Sequence, residues 1–385
     1  MTTAPDTKAA PTPRAGSKPS PVRSLALRWD TAVGVLLVAV LVVGLGTTEG
    51  FGSAENLAFA FNDIAEVAII ALPMTLLVVA GQVDLSVASM LGLGSALTGA
   101  LWEAGWAFET IVPVVLLVGV AGGLLNGWLV TKVGLPSLAV TIGTLALYRG
   151  LASVALGSDA VTDFPQVYAD WAVDTTTVPG TFLTYPVLLF IVLAAVTAVV
   201  LHATGLGRSL FAIGSQEEAA YFAGIRVKRI KLLLFVVTGL FSAFAGVVFT
   251  LRYGSARADN GLGFEMLVIA SVLLGGIDFD GGKGTLFGAV AGVLLIGVLK
   301  NLLTLNDIAN EVQVIVTGLL LVASVLTPRV IATVVERRHR RAAPKRVPFP
   351  PSKSMPPSRT DAMTSISKPS PLSARALPYR RVKMK

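Results

Sequence analysis

The chain contains few of the residues that carry out catalysis in proteins. It has no cysteine and two histidines, His202 and His339. The lack of cysteine excludes a cysteine-ligated metal site, and two histidines are too few for a histidine-rich zinc site. His202 is isolated within an apolar segment, which leaves little room for Ser-His-Asp chemistry. We therefore predict no catalytic residue and no metal site in this chain.

A glycine-rich segment at 276–285 invites comparison with a phosphate-binding loop. That motif requires Gly, four residues, and then Gly-Lys-Ser/Thr. Ile277 stands where the first Gly is needed, and Gly284 follows Lys283 where a hydroxyl is needed. A tight turn explains the glycines better, because only glycine adopts positive φ without strain. The sequence thus predicts no ATP site, so an ATP-driven process would require a separate nucleotide-binding chain.

Asp84 is the most conspicuous polar residue beside an apolar segment, and Ser86 and Ser89 follow it. In one interpretation, the Asp84 carboxylate caps a helix and accepts hydrogen bonds from N–H groups that lipid cannot satisfy. In the other, Asp84 lies on a solute path, with the hydroxyls of Ser86 and Ser89 facing the solute. The sequence leaves both open.

Further polar residues lie in or near apolar segments, where polar groups usually face a bundle interior or a cavity. Asn126 and Thr144 join the candidates for a solute path on this ground. The same pattern holds for Asn62, Asp63, Glu66, Thr141 and Arg149. Each of them, taken alone, is better explained by a contact between helices than by a contact with a solute.

A long polar connection at 204–230 contains a helix-like block. Glu217 and Glu218 stand near its start, which suits the positive end of a helix dipole, and Gly224 stands where a left-handed cap would end it. Basic residues follow at Arg226, Lys228, Arg229 and Lys231. The pattern predicts a short amphipathic helix on the inner membrane face that acts as a docking surface. A surface loop with one helical turn is the alternative.

These residues must be positioned by membrane-spanning helices. The chain is 54% hydrophobic and 14% charged, whereas soluble domains contain about 25% charged residues. A bilayer core of ~30 Å needs about 20 apolar residues per helix. Ten segments qualify: 31–48, 61–80, 84–102, 110–131, 135–156, 183–203, 231–251, 264–278, 284–303 and 311–328. We predict an all-α polytopic membrane protein with about ten transmembrane helices and a cytoplasmic coupling helix.

The net charge of +8 belongs to the two ends of the chain. Residues 1–30 carry +3 and residues 336–385 carry +12, which leaves −7 for the rest. We predict flexible basic tails at 1–30 and 329–385 around a transmembrane domain at 31–328. Tails of this composition suit a membrane surface with anionic lipid rather than a folded nucleic-acid-binding face, so no nucleic-acid partner is expected.

The basic residues of the connections predict the orientation. The connection 204–230 is basic and is placed inside, whereas 103–109 and 157–182 have acidic residues and no Lys or Arg and are placed outside. Ten spans then return both termini to the cytoplasm. Arg252 and Arg257 are the exceptions, because they fall on a predicted outer loop. We predict a multi-pass protein of the bacterial plasma membrane.

Four stretches in order resemble a known family. Glu218-Ala-Ala220, followed by Gly224, resembles the cytoplasmic loop that ABC importer permeases dock into their ATPase. The stretches 81–89, 252–259 and 274–284 are similar to segments of the monosaccharide branch, which includes ribose, xylose, rhamnose and autoinducer-type permeases. The likeness runs from about residue 60 to 328 and excludes both tails.

The resemblance implies a permease subunit of an ATP-driven monosaccharide importer, rhamnose-like or for another pentose or hexose. The partners it implies are an ATP-binding subunit, an extracytoplasmic sugar-binding protein and a second permease chain, identical or different. ATP would be used by the ATPase partner, with no cofactor on this chain. The implied ATPase-coupling residues are Gly214, Glu217, Glu218, Ala219, Ala220, Gly224 and Ile225. Arg257 and Asp259, or the acidic segment 157–182, would meet the binding protein.

This chain departs from the monosaccharide branch at four positions. Gln82 and Ala88 replace glycines, and Asp278 and Asp280 replace a hydroxyl and an apolar residue. These departures leave the sugar open.

Two other function classes fit the sequence less well. An ion-gradient-driven secondary transporter requires membrane-embedded acidic residues and two related halves. Asp63 and Glu66 could serve as the acidic residues, but the halves do not align and the loop 204–230 would be unexplained. An intramembrane enzyme would need an aspartyl dyad, and no acidic pair lies at matching depth.

Overall fold

A computed structural model of the chain describes residues 29–174, 183–323 and 326, which belong to a compact unit of Met1–Thr333. The predicted C-terminal tail 329–385 lies outside the described residues. So do residues 1–28 of the predicted N-terminal tail and residues 175–182 of the predicted outer segment. The domain boundaries therefore stay predictions.

The described residues form helices joined by short connections, with no strand among them. One isolated antiparallel bridge joins Val161 and Ala256. The helices are α1 (Trp29–Thr47), α2 (Ala54–Asp63), α3 (Ala65–Val79), α4 (Val87–Glu103), α5 (Phe108–Trp128, extended by a π-helical turn over Leu129–Val133), α6 (Ser137–Leu156), α7 (Gln166–Val173), α8 (Tyr185–Ala203), α9 (Gly205–Ser215), α10 (Glu217–Phe222), α11 (Val227–Tyr253), α12 (Phe264–Leu274), α13 (Leu286–Leu305) and α14 (Asn310–Ala323). The predicted all-α class is confirmed.

The described residues contain six helices that are long and apolar enough to cross a membrane, or seven if the bent pair α2 and α3 is one span. The six are α1, α5 with its π-helical turn, α6, α8, α11 and α13. The other three predicted segments, 84–102, 264–278 and 311–328, contain the shorter helices α4, α12 and α14. The count of ten spans therefore stays a prediction.

Glycines let the central helices approach closely. A Cβ on Gly123 of α5 would overlap the carbonyl oxygen of Phe235 on α11, and one on Gly94 of α4 would lie 2.7 Å from the oxygen of Ala243. Lipid supplies no hydrophobic drive between helices, so this close backbone packing stabilises the bundle. Every residue of α3 is buried, so this helix lies in the interior of the bundle.

The long helix α11 separates two ends of the molecule. Its 27 residues span about 40 Å at 1.5 Å per residue. The short helix α10 precedes α11 at one end, which we call the α10 end. The connection 254–263 follows α11 at the opposite end and runs back along α4, and we call it the strap.

The strap explains why α12 is short. Gly99 of α4 faces Ala256, whereas Gly261 packs against Leu91, eight residues earlier in α4. Eight helical residues correspond to about 12 Å, so the strap descends alongside α4 before α12 begins at Phe264. Within the predicted span 264–278, the helix covers Phe264–Leu274.

Candidate functional site

The predicted coupling block is a helix, α10, that begins at Glu217. Gly214 still belongs to the preceding helix α9, and Gln216 between them is extended, with φ −162°. Gly224 has φ +85°, and the N–H of Ile225 donates to the Ala220 carbonyl at 3.1 Å. This left-handed end is the one that the sequence predicts, because glycine adopts this φ without a steric penalty.

One face of α10 is anchored to the rest of the chain. Ala220 is buried, and the Nζ atom of Lys231 on α11 lies 2.6 Å from Oε2 of Glu217. The Lys231 side chain is 8% exposed, so this ion pair is better shielded from water than a surface pair. The ion pair thereby joins α10 to α11.

The other face of α10 is exposed and carries two aromatic residues that sequence reasoning missed. Tyr221 is 64% exposed and Phe222 is 84% exposed, and their rings meet edge to face with centroids 5.8 Å apart. The sequence signal for this face is the adjacent pair Tyr221 and Phe222 within a connection that is predicted to lie outside the membrane. Glu218, Ala219 and Gly224 are also exposed, whereas Ile225 is half-buried. Beside α10 an open groove is lined by Ala223, Gly224, Ile225, Arg226 and Arg229.

A junction of glycines lies directly before α10. Gly214 packs so tightly that an added Cβ would overlap the Val79 carbonyl oxygen at the end of α3 and the Gly282 nitrogen. The N–H of Gly282 donates to the same Val79 oxygen at 2.9 Å. Gly281 packs against Gly81, where an added Cβ would lie 2.7 Å from the Gly81 nitrogen. Backbone contact therefore joins α9, α3 and the turn before α13.

The candidate solute-path residues Asp84, Ser86 and Asn126 form one buried network. Oδ1 of Asp84 accepts from the Ser86 N–H at 2.8 Å and from the Ser86 hydroxyl at 2.6 Å. Asn126 on α5 donates to the Ser86 hydroxyl at 2.9 Å. Tyr148 on α6, which sequence reasoning missed, donates to Gly122 at 2.8 Å and to Asn126 at 3.4 Å. The network ties α5 and α6 to the start of α4.

Ser89 and Thr144 bond to the backbone of their own segments instead. The Ser89 hydroxyl donates to the Ser86 carbonyl at 2.8 Å, and the Thr144 hydroxyl donates to the Val140 carbonyl at 3.2 Å. All five candidates are at most 5% exposed. Asp84 lies three residues before Val87, the first residue of α4, and its carboxylate accepts from the N–H of Ser86, the N-cap residue, and not from an N–H within α4. The solute-path role of these residues stays a prediction.

The candidate binding-protein contacts Arg257 and Asp259 lie on the exposed side of the strap. The Arg257 guanidinium donates to both carboxylate oxygens of Asp259, at 2.9 and 3.2 Å, and the two side chains are 50% and 62% exposed. The acidic segment 157–182, the other candidate contact, contributes Tyr168 on α7, which donates its hydroxyl to Glu109. That hydrogen bond to a carboxylate raises the pKa of Tyr168.

Four charged residues meet at the end opposite α10. Arg252 donates from Nε to Glu66 at 2.8 Å and from Nη1 to Asp63 at 3.2 Å. Lys300 on α13 lies 2.9 Å from the other oxygen of Asp63. The expectation that Arg252 lies on an outer loop is wrong, because Arg252 belongs to the last turn of α11 and its charge is paired. Both acidic residues that an ion-driven carrier would use are likewise paired.

The described residues contain no group of three or more His, Asp or Glu side chains that could hold a metal ion.

Comparison with known proteins identifies the family. Residues 56–325 match the model of a permease family described as the branched-chain amino acid transport system permease component. This match covers the bundle from α2 to the described end of the chain. No solved structure matches the chain significantly.

Curated relatives agree with this match. An autoinducer 2 import system permease protein of Photorhabdus luminescens is 33% identical over 305 residues, which cover 77% of this chain and 90% of the relative. The corresponding protein of Yersinia enterocolitica is 34% identical over 311 residues, covering 77% and 91%. One from Escherichia coli is 32% identical over 305 residues.

Proposed function

Because the chain belongs to the family of branched-chain amino acid transport system permease components, we propose that it is the permease subunit of an ATP-driven importer of a monosaccharide or a related polar solute. In this proposal the helical bundle forms the translocation path and a separate subunit hydrolyses ATP. The family match and the apolar helices support a multi-pass plasma-membrane protein.

The observation that carries the proposal is α10. A six-residue helix is held by Ala220 and the Glu217–Lys231 ion pair on one side, and it presents Tyr221 and Phe222 to solvent on the other. Aromatic residues that become buried on binding are typical anchors of protein interfaces. The exposed rings of Tyr221 and Phe222 therefore indicate a surface that binds a partner protein. We propose that these rings insert into the ATP-binding subunit.

The glycine junction supplies a route for the mechanical step. ATP-driven closure of the ATPase subunits would push α10, and the ion pair would pass the displacement to α11. Gly214 rests on the backbones of Val79 and Gly282 without intervening side chains, so a shift of α9 would also move α3 and the turn before α13. Close-packed contacts of this kind transmit a displacement instead of absorbing it.

The proposed solute is a monosaccharide, rhamnose-like or another pentose or hexose. The relatives are named for autoinducer 2 import, which makes an autoinducer-type solute a direct candidate for the first assays. An extracytoplasmic binding protein would deliver the solute, with Arg257 and Asp259 as its contacts. A second permease chain, identical or different, would complete the path, and both termini would lie in the cytoplasm.

An ion-gradient-driven carrier is less well supported. Glu66 and Asp63 would have to gain and lose an ion or a proton during transport, yet Arg252 and Lys300 hold both of them in ion pairs. A partner cation stabilises the charged carboxylate and opposes such a cycle. That mechanism would also leave the exposed aromatics of α10 without a role.

The test is affinity purification of the tagged chain from membranes, followed by mass spectrometry of the partners. The parent chain should bring down an ATP-binding subunit and a solute-binding protein. Phe222→Ala should lose the ATP-binding subunit, whereas Trp106→Ala, which removes a 46% exposed aromatic from the opposite end, should retain it. A parent chain that purifies alone and moves solute into liposomes without ATP would replace the proposal with the ion-driven carrier.

A further inference from the structure

Arg149 is a charged residue within a membrane-spanning helix. It lies in α6 about 18 Å from Ser137, the first residue of the helix, at 1.5 Å per residue. None of the ion pairs among the described residues includes Arg149. An ionised side chain at this depth is costly and usually marks a functional position.

Three backbone carbonyls compensate the Arg149 guanidinium. Nη1 donates to Ala258 at 2.7 Å and to Asn260 at 2.9 Å, both on the strap, and Nη2 donates to Ala88 on α4 at 3.3 Å. A guanidinium offers five N–H donors in a fixed fork, and three of them are used here. Arg149 therefore joins α6, α4 and the strap at one point.

The strap has two different sides. Ala256 and Ala258 face inward and are at most 9% exposed, whereas the alternate residues Arg257 and Asp259 are at least half exposed. Ala256 lies in the antiparallel bridge to Val161, and residues 258–260 form a turn. A change in how the inner side is held would therefore change where the outer side presents its ion pair.

The strap has further attachments near Arg149. Ala256 pairs with Val161 by two backbone hydrogen bonds of 2.8 and 3.1 Å. The Asn260 side chain donates to Ser95 on α4 at 2.8 Å. Gly92 of α4 leaves room for the guanidinium, because an added Cβ there would overlap Nη1 of Arg149 and lie 2.9 Å from the Asn260 oxygen.

We propose that Arg149 is a positioning residue for the transport reaction, which holds the strap against α4 and thereby fixes Arg257 and Asp259 for contact with the solute-binding protein. The docking part of this inference rests on the proposed function. The part that concerns how the strap is held does not depend on the proposed function, because it follows from the hydrogen bonds of Arg149 to Ala258, Asn260 and Ala88.

Cysteine labelling tests whether Arg149 holds the strap against α4, and it does so without knowledge of the solute. The chain has no cysteine, so Ala258→Cys introduces a single thiol on the inner side of the strap. In the otherwise unchanged chain in membranes, a membrane-impermeant methanethiosulfonate reagent should label this thiol slowly. Adding Arg149→Met should increase the labelling rate about tenfold or more, because three hydrogen bonds to a charged donor are lost. Arg149→Lys should give an intermediate rate.

Two further variants keep the test decisive. Gly92→Ala should mimic Arg149→Met by displacing the guanidinium, which provides the answer if Arg149→Met fails to reach the membrane. Arg208→Met, which removes an exposed arginine of α9, should leave the labelling rate unchanged. Equal labelling rates in the Arg149→Met, Gly92→Ala and Arg208→Met backgrounds would overturn the proposal.

The docking part needs a second readout on the complete transport complex. Arg149→Met should raise the binding-protein concentration that gives half-maximal ATPase stimulation about tenfold, with the maximal rate at saturation retained. A structural defect alone would lower the maximal rate through loss of folded complex. Faster labelling with unchanged half-saturation would reject the docking role of Arg149, whereas a complex that needs no binding protein would reject the proposed function and leave the labelling result standing.

Discussion

The Nζ atom of Lys231 on α11 lies 2.6 Å from a carboxylate oxygen of Glu217 on α10. The shortest helix of the described chain is thus fastened to the longest one. Lys231 is almost buried while Glu217 is half exposed, so the pair sits at the boundary between the bundle and its proposed partner. A push on α10 would therefore reach α11 through this ion pair.

Reversing the charge of Glu217 should uncouple transport. Glu217→Lys places a second cation beside nearly buried Lys231, and like charges repel strongly where water is scarce. We expect ATP-dependent uptake to fall at least about tenfold while the chain stays in the membrane. The swapped pair Glu217→Lys with Lys231→Glu should recover part of the uptake. Unchanged uptake in the single variant at equal expression would contradict the coupling role.

Gly224→Arg should also uncouple transport. Gly224 has φ +85°, where a residue with a Cβ is strained by about 1 kcal/mol, and its exposed position beside α10 would be filled by a long charged side chain. Gly50→Arg is the matched control, because Gly50 has φ +75° with open space around it. Equal loss of uptake in both variants would show that backbone strain, and not the docking surface, is responsible.

The glycine junction should tolerate no side chain. Gly214→Ala would drive a methyl group into the backbones of Val79 and Gly282, and we expect a cost of about 1–3 kcal/mol in the free energy of unfolding. Gly143→Ala on α6, with no atom within 4 Å of the added Cβ, should be neutral or slightly stabilising. Thermal unfolding of the two purified variants in detergent checks this. Equal midpoints would refute the tight junction.

Arg252 should matter for stability more than any exposed arginine. Arg252→Met leaves the buried carboxylate of Glu66 without its cation, which costs about 3–5 kcal/mol. Adding Glu66→Gln removes the uncompensated charge and should restore a large part of the loss. The same thermal measurement serves, with exposed Arg208→Met as the control. A single variant as stable as the double variant would mean that the pair carries no such charge compensation.

Asp84 separates the capping interpretation from the solute-path one. Asp84→Asn keeps an oxygen that can accept from the N–H of Ser86, so it should retain most of the stability, whereas Asp84→Ala should lose about 1–3 kcal/mol. If Asp84 acts only as a cap, solute uptake should follow stability in both variants. A stable Asp84→Asn variant with abolished uptake would favour a role on the solute path.

The sequence was sufficient to predict local features. The start and end of α10 follow from Glu217, Glu218 and Gly224, because dipole and cap preferences act within one turn of a helix. The apolar segments also coincide with helices, since burial in lipid requires long apolar runs.

The sequence could not predict contacts between distant parts of the chain. Arg252 pairs with Glu66 across 186 positions, and no local pattern records that pairing. The strap reads as an ordinary outer loop, because small and polar residues look alike in a surface loop and in a segment that lies along α4. The strap differs from such a loop because Arg149, more than 100 positions earlier in the chain, donates hydrogen bonds to the carbonyl oxygens of Ala258 and Asn260.

The most direct measurement is crosslinking from the tip of α10. Ala223→Cys gives this cysteine-free chain a single thiol at an exposed position directly after Phe222, which keeps both aromatic rings of α10, and a photoactivatable thiol reagent can be attached there in native membranes. We expect an adduct whose second component, by mass spectrometry, is an ATP-binding subunit, and no such adduct from Trp106→Cys at the opposite end. An Ala223→Cys variant that crosslinks only to lipid or to copies of its own chain would contradict ATP-driven transport through α10.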